Sequence, residues 1–179
     1  MPNIEIRSAI VSDIETLIAL EHHYASDHVW QMNFSQEDEQ VEIRFREIRL
    51  PRSVQVAYPH DPQKLADSWT ARDALLVATL DGEPVGYISL VQDDYLQTTR
   101  VTDLTVARHL RRQQIGSTLV ISAQDWAVYR ESQRIILELQ PKNYPAIQMA
   151  RKLGFELCGY HDHYFSNHDI ALFFSKWVR

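Results

Sequence analysis

Residues 102–120, TDLTVARHLRRQQIGSTLV, decide how the rest of the chain is read. Val101 to Val106 intersperse β-branched and apolar residues with polar ones, which predicts a strand. A basic segment with Arg108, Arg111 and Arg112 follows, and from Gln114 the spacing of Ile115, Leu119, Ala123 and Trp126 places one apolar side on a helix. A strand, a cationic turn and a helix start with Gly116 and Ser117 in its first turn make an anion site. The first N–H groups of a helix lack internal partners, and its dipole puts partial positive charge there. Gly116 lets a ligand approach the backbone, and the arginines offer charge-assisted hydrogen bonds to phosphate. The plainer alternative is an ordinary strand–turn–helix with a solvated basic turn.

Toward the N-terminus, Ile4 to Ile10 predicts a strand, and Ser12 with Glu15 three residues on predicts a capped helix carrying Ile14, Leu17, Ile18 and Leu20. Tyr24 to Phe34 is read as irregular. A charge-rich helix is expected from Gln36 to Arg49, with Val41, Phe45 and Ile48 at compatible spacing, ended by Leu50-Pro51-Arg52. Pro59 and Pro62 mark a loop. Ala74 to Leu80, the turn Asp81-Gly82-Glu83-Pro84 and Val85 to Val91 predict a hairpin.

Beyond the central helix, Ile135, Leu137 and Leu139 share one face of a strand. Asn143 is placed to cap a helix carrying Ile147, Met149, Ala150 and Leu153, and Gly154 ends it. Phe155 to Tyr164 and Asp169 to Trp177 read as a terminal strand pair. No repeat or linker interrupts the pattern, so residues 1–179 are expected to form one domain. Strands interspersed with helices, with hairpins at both ends, predict an α/β fold with a mixed sheet covered by helices.

Composition narrows the function. Hydrophobic residues make up 45% of the 179 and charged ones 23%, an ordinary globular composition. A net charge of −6 disfavours nucleic acid as a partner and favours a cationic or neutral substrate over an anionic one. No apolar run approaches the roughly 18–20 residues that span a bilayer, and the N-terminus lacks signal-peptide anatomy. The expectation is a cytoplasmic protein without a membrane partner. Cys158, the single cysteine, rules out an internal disulfide and is expected to be a small buried residue. His161 and His163 share a strand face, but two histidines do not complete a zinc site, and no metal is expected.

With Leu104-Thr105-Val106 as the strand, Arg111-Arg112-Gln113-Gln114-Ile115-Gly116 resembles the acetyl-CoA-binding signature of the GCN5-related N-acetyltransferases (the GNAT superfamily), Arg/Gln-x-x-Gly-x-Gly/Ala. Gln114 stands where the first glycine is usual. A second stretch, Asn143 to Phe155, resembles that family's Asn-x-x-Ala-x-x-Leu-Tyr-x-Lys-x-Gly-Phe. Asn143, Ala146, Lys152, Gly154 and Phe155 match, Met149 replaces the leucine, and Ala150 replaces the tyrosine. The element order matches as well, so the resemblance spans nearly the whole chain.

The resemblance implies a mixed, mainly antiparallel sheet flanked by helices, with acetyl-CoA as donor and direct attack by an amine. It places the pantetheine along Leu104, Thr105 and Val106 by strand-like backbone pairing. The pyrophosphate falls on Arg111, Arg112, Gln113, Gln114, Ile115, Gly116 and Ser117. Asn143 either bonds the pantetheine or caps its own helix.

Many relatives protonate the departing thiolate with the tyrosine replaced here by Ala150. Tyr144, Tyr160 and Tyr164 are the candidates to take over, each with a packing role as the alternative. General acid help is worth roughly 10²–10⁴-fold, so its loss slows the reaction without forbidding it. Asp103 and Glu138 are candidate bases, with structural hydrogen bonding as the alternative for both. Tyr24, Asp27, Trp30 and Met32 fall in the region that covers the acceptor pocket in relatives, and Tyr164 is placed there too; aromatics beside an acid suit a cationic amine.

The acceptor is a small-molecule or peptide amine, and a homodimer is carried only by analogy with the family. Ala150 keeps a rival in view, an acyl-CoA-binding sensor of the same fold without full catalysis. A nucleotide-binding protein is disfavoured because no Gly-x-x-x-x-Gly-Lys-Ser/Thr loop is present.

Overall fold

The computed structural model describes residues 3–178. Its strands are β1 (Ile4–Ser8), β2 (Tyr24–Glu37), β3 (Gln40–Val56), β4 (Ala74–Leu80), β5 (Glu83–Asp93), β6 (Thr98–Val106), β7 (Arg134–Leu139), β8 (Glu156–His161) and β9 (Ala171–Trp177). The helices are α1 (Ile14–Ile18), α2 (Leu65–Ser68), α3 (Ile115–Tyr129) and α4 (Tyr144–Lys152). Seven strands form one sheet in the order β1-β4-β5-β6-β7-β9-β8, while β2 and β3 pair only with each other. Every neighbouring pair in the sheet is antiparallel except β6 and β7. Those two run parallel because α3 carries the chain across between them, as a parallel pair requires.

Strand alternation divides the core. Leu76, Ala78, Ile88 and Leu90 face the cluster built with Ile115, Leu119 and Ala123 of α3 and Ile147 and Ala150 of α4. Leu75, Val77 and Tyr87 face the opposite way, onto Ile14 and Leu17 of α1 and Leu65 of α2. Gly86 has a specific cause. A Cβ there would lie 2.8 Å from the Thr105 carbonyl oxygen, so only glycine lets β5 lie this close to β6.

Four expectations are corrected. Gln36 to Arg49 is not a helix, and Tyr24 to Phe34 is not irregular; together they form a long hairpin turned at Asp38, whose φ is +44°. Met32 faces Phe45 and Phe34 faces Ile43 across it, so the decisive period is the two-residue alternation Val41, Ile43, Phe45. The helix-favouring Glu and Arg residues are overridden by that pairing.

At the N-terminus, capping falls to Asp13 rather than Ser12. Its carboxylate accepts the Ile10 amide at 2.8 Å and both Arg7 guanidinium nitrogens at 2.7 and 2.8 Å. Cys158, expected inside, is exposed on the edge strand β8.

Candidate active site

The site begins where two strands part. β6 and β7 pair from Thr98↔Arg134 to Val101↔Leu137 and no further, although β6 continues to Val106 and β7 to Leu139. A bulge marks the parting point: Leu90 faces Val101 and Ser89 faces Asp103, leaving Thr102 as the extra residue. β5 still follows β6 as far as Gly86↔Val106. The other edge of Leu104, Thr105 and Val106 therefore carries backbone groups that no strand takes up. A cleft opens there between Thr102–Leu104 and Leu137–Gln140, with Asn143 just ahead of α4, Ala146 and Met149 within it, and Tyr24 and Tyr58 in its walls.

The loop after β6 presents a helix start to this edge. The first intrahelical bond of α3 runs from the Thr118 amide to the Gln114 carbonyl, 2.9 Å. The amides of Ile115, Gly116 and Ser117 precede it and are the ones a helix leaves unpaired. A Cβ on Gly116 would lie 3.5 Å from Met149 Sδ and 3.9 Å from Val106 Cγ2, so the helix start faces both β6 and α4. Gln114 adopts φ +68° and Arg112 φ +66°, the left-handed conformation that glycine adopts most cheaply. Gln114 thus holds a conformation that glycine favours, although it is not glycine.

Arg111 is engaged by the protein's own carbonyls. Its Nε donates to the Val106 carbonyl and its Nη1 to the His23 carbonyl, both at 2.9 Å, and its Nη2 donates to the Glu21 carbonyl. The guanidinium clamps the loop to the segment before β2 instead of facing outward. Arg108 reinforces the clamp through Glu21 at 3.2 Å. Arg112 and Gln113 are exposed, Gly116 and Ser117 partly so, and Ile115 is buried in the core. Asn143 performs its capping role, Oδ1 accepting the Ala146 amide at 3.3 Å, and it also lines the cleft.

Both candidate carboxylates line the cleft. Asp103 accepts the Tyr58 hydroxyl, His60 Nδ1 at 2.8 Å and the Thr102 hydroxyl at 2.9 Å, with Arg72 Nη2 at 3.6 Å. Burial pushes its pKa up, but the bonds from His60, Tyr58 and Thr102 outweigh burial and hold it below the usual carboxylate range. Glu138 accepts Arg100 Nη1 at 2.9 Å, and its side chain is 3% exposed. Burial raises its pKa against the opposing pull of Arg100 and the Tyr164 hydroxyl.

Tyr24 donates to Gln140 Oε1 at 2.7 Å, and burial pushes its hydroxyl far above the ordinary tyrosine range. His22 donates from Nδ1 to the Leu20 carbonyl at 2.7 Å and accepts the Tyr87 hydroxyl at Nε2, 2.9 Å. Burial lowers the pKa of His22 and raises that of Tyr87 to about 12.

Other predicted residues gather elsewhere. His28 stacks on Tyr144 with centroids 4.2 Å apart and pairs with Asp27 at 2.8 Å. The Tyr144 hydroxyl and Trp30 Nε1 both donate to Glu47, at 3.2 and 3.3 Å. Asp27, Trp30 and Tyr144 thus join the β2–β3 hairpin to α4, outside the residues that line the cleft. Tyr160 packs edge-on against Phe45. Of the three tyrosines considered for the place left by Ala150, Tyr164 alone is coupled to a cleft carboxylate: burial and the charge of Glu138 raise its pKa.

The sequence reading missed His22, Tyr58, His60 and Gln140. Tyr58 and His60 lie in the proline-bounded run Tyr58-Pro59-His60-Asp61-Pro62, whose only signal is two ionisable rings in an otherwise featureless loop. Among the described residues, no three His, Cys, Asp or Glu side chains are grouped to hold a metal, and no helix is long and apolar enough to cross a membrane.

Comparison with known proteins bears on this arrangement. The family model described as "Acetyltransferase (GNAT) family" matches residues 39–155. The streptothricin acetyltransferase of Streptomyces lavendulae is 26% identical over 160 residues, 87% of this chain and 82% of that protein. Nourseothricin acetyltransferase, known from a crystal structure, is 24% identical with a TM-score of 0.84, the match covering 98% of this chain and 99% of that one. A protein of Bacillus anthracis solved in complex with acetyl coenzyme A is 18% identical with a TM-score of 0.75, over 98% and 99% of the two chains.

Proposed function

This chain belongs to the acetyltransferase (GNAT) family and transfers an acetyl group from acetyl-CoA to an amine; from that premise, we propose that the acceptor is a small cationic amine bound in the cleft between β6 and β7. The observation that carries the reading is the pair of buried carboxylates, Asp103 and Glu138, on the two parting strands of one cleft with Tyr24 and Tyr58 in its walls. Buried carboxylates beside aromatic walls attract an ammonium group by charge and by the faces of the rings. The named substrate of the Streptomyces lavendulae relative, streptothricin, is the first compound to test.

In this reading the free edge of Leu104, Thr105 and Val106 pairs with the pantetheine amides, as an added strand would. The amides of Ile115, Gly116 and Ser117 take the diphosphate, with the Arg112 side chain free to swing onto it. Gln113 and Gln114 shape the loop, Arg111 braces it, and Asn143 turns its side-chain N–H groups to the pantetheine while its oxygen caps α4. Asp103 is held ionised, Glu138 draws the ammonium, and Tyr164 steadies Glu138. Tyr144, Asp27 and Trp30 hold the hairpin that closes the acceptor end. A thiol of pKa about 8.5 leaves as thiolate near neutrality, so the alanine at position 150 is compatible with turnover.

The test is release of free thiol from acetyl-CoA against a panel of streptothricin, a polyamine, an amino sugar and an alanine-ended peptide, with products weighed by mass spectrometry. Expected is a single acetylation, fastest on a small cationic amine. Preference for the peptide would overturn the acceptor class. Tight coenzyme binding with no turnover on any amine would establish the sensor that Ala150 keeps in view.

A further inference from the structure

We propose that His60 is the base that deprotonates the acceptor ammonium, oriented by Asp103 in an Asp–His dyad at the rim of the cleft. The inference rests on the acceptor reading above and assigns the step that reading leaves open.

Geometry fixes the tautomer. His60 Nδ1 lies 2.8 Å from Asp103 Oδ1, and an ionised carboxylate can only accept, so Nδ1 carries the proton and Nε2 keeps its lone pair. Asp103 is itself a poor base: bonds from Tyr58 and His60 occupy Oδ1, and Thr102 with nearby Arg72 occupies Oδ2. Tyr58 keeps its proton, because burial raises its pKa well above the ordinary value, and it fixes the carboxylate without titrating.

Location separates His60 from Glu138. Tyr58, Pro59 and Phe165 line the cleft, and His60 follows Pro59 in the chain with its ring 5.6 Å from both Tyr58 and Phe165. Its side chain is 35% exposed, against 3% for Glu138. A base that turns over must return its proton to water, and His60 is open to water while its ring packs beside Tyr58 and Phe165, which line the cleft. Glu138 is paired to Arg100 and enclosed. The ionisable groups facing His60 are Tyr58 from its own loop, Asp103 of β6 with Arg72, and Glu138 of β7 with its partners Arg100 of β6 and Tyr164 of the β8–β9 loop.

The step balances. The acceptor ammonium gives one proton to His60 Nε2 and becomes a neutral amine. Its nitrogen lone pair forms the C–N bond at the thioester carbonyl carbon, the C–S bond breaks, and that electron pair leaves on sulfur. The remaining surplus proton on nitrogen passes through water to the thiolate, and His60 releases its own proton to solvent.

The experiment is the pH dependence of kcat on the best amine of the panel, for wild type, His60→Gln and His60→Ala, beside acetyl-CoA affinity by calorimetry. Expected is a fall in kcat of roughly 10²–10³-fold in both variants, coenzyme affinity within twofold of wild type, and loss of the rising limb of the profile. Added imidazole should restore part of the rate to His60→Ala but not to His60→Gln. In Asp103→Asn kcat should fall roughly tenfold while KM for the acceptor and coenzyme affinity stay near wild type, a split a purely structural role would not produce.

Wild-type turnover with kcat in His60→Gln within threefold would overturn the proposal. So would a slow His60→Gln that keeps the rising limb, since the base would then be Glu138 or water. If wild type turns over no amine, the failure belongs to the acceptor reading. His60→Gln keeps the size and a donor for Asp103, so it carries the test even if His60→Ala fails to fold.

Discussion

The two halves of the cleft are built in opposite ways. On the side proposed for the coenzyme, from β6 into α3, the groups on offer are main-chain ones: the edge of β6 beyond Val101 that no strand covers and the amides ahead of the first α3 hydrogen bond. On the acceptor side, side chains converge from distant parts of the chain: Tyr24 on Gln140, Tyr58 and His60 on Asp103, Arg100 on Glu138. A backbone site tolerates side-chain change so long as the conformation holds. A side-chain site fails one residue at a time. The contrast explains how Gln114 can replace a glycine on one side while every partner of Asp103 is specific on the other.

The largest expected effect tests the main-chain side directly. Gly116→Trp would put an indole between the α3 start, Met149 and the β6 edge, where a Cβ already has neighbours at 3.5 and 3.9 Å. Coenzyme affinity should fall roughly 100-fold or more, the equivalent of losing two phosphate hydrogen bonds. Gly116 is partly exposed, so the fold should survive, with some loss of melting temperature from crowding Met149 and Val106. Unchanged affinity by calorimetry would remove the loop from the coenzyme site and dissolve the contrast.

Next in size is Glu47→Ala, which tests whether the acceptor side depends on individual side chains. Glu47 accepts Trp30 Nε1, the Tyr144 hydroxyl and Gln148 Nε2 at 3.2–3.4 Å, with Arg151 at 3.9 Å, so one carboxylate joins the hairpin to α4. These bonds are long and partly solvated. Their loss should cost about 1 kcal/mol and roughly 2–4 °C in Tm. The same variant should raise KM for the acceptor while leaving coenzyme affinity alone. A change confined to the coenzyme would show that the hairpin serves the other side.

Legibility in the sequence follows the same division. The strand, turn and helix of residues 102–120 were readable because their signals are local: alternation, then helical spacing, then an exposed helix start. The Asn143 cap and the Gly154 stop were readable for the same reason, and so was the β4–β5 hairpin. The β2–β3 hairpin was not, because Val41, Phe45 and Ile48 fit a helical stripe as well as Val41, Ile43 and Phe45 fit a strand. The choice is made by Met32 and Phe34 on the facing strand. His60 could not be found from its surroundings when its partner Asp103 lies 43 residues away. Arg111 was given to phosphate by its neighbours in sequence, yet it is held by carbonyls 88 and 90 residues distant. What distant parts of the chain decide leaves little local trace.

A smaller effect probes the buried rings beneath the acceptor side. Burial lowers the pKa of His22 below that of an unfolded histidine. The unfolded chain therefore binds the extra proton first as pH falls. The stability contributed by neutral His22 is complete above about pH 6.5 and is lost as pH drops through the folded value. Wild-type Tm should decline over that window, and His22→Gln should remove that part of the slope, whatever it does to Tm at pH 8. Equal slopes in the two proteins would place the acid sensitivity elsewhere.

The smallest expected effect is the most pointed, because it asks whether a side chain matters at all on the main-chain side. Gln114 holds φ +68° at the α3 N-terminus, and its side chain caps nothing there. Gln114→Gly removes the left-handed penalty of roughly 1 kcal/mol and adds back part of it through the freer unfolded chain, so Tm should stay level or rise slightly. Coenzyme affinity should be retained, since the carbonyl that starts the helix and the amides beyond it keep their places. If affinity instead drops tenfold, Gln114 binds through its side chain. The two halves of the cleft would then differ in degree and not in kind.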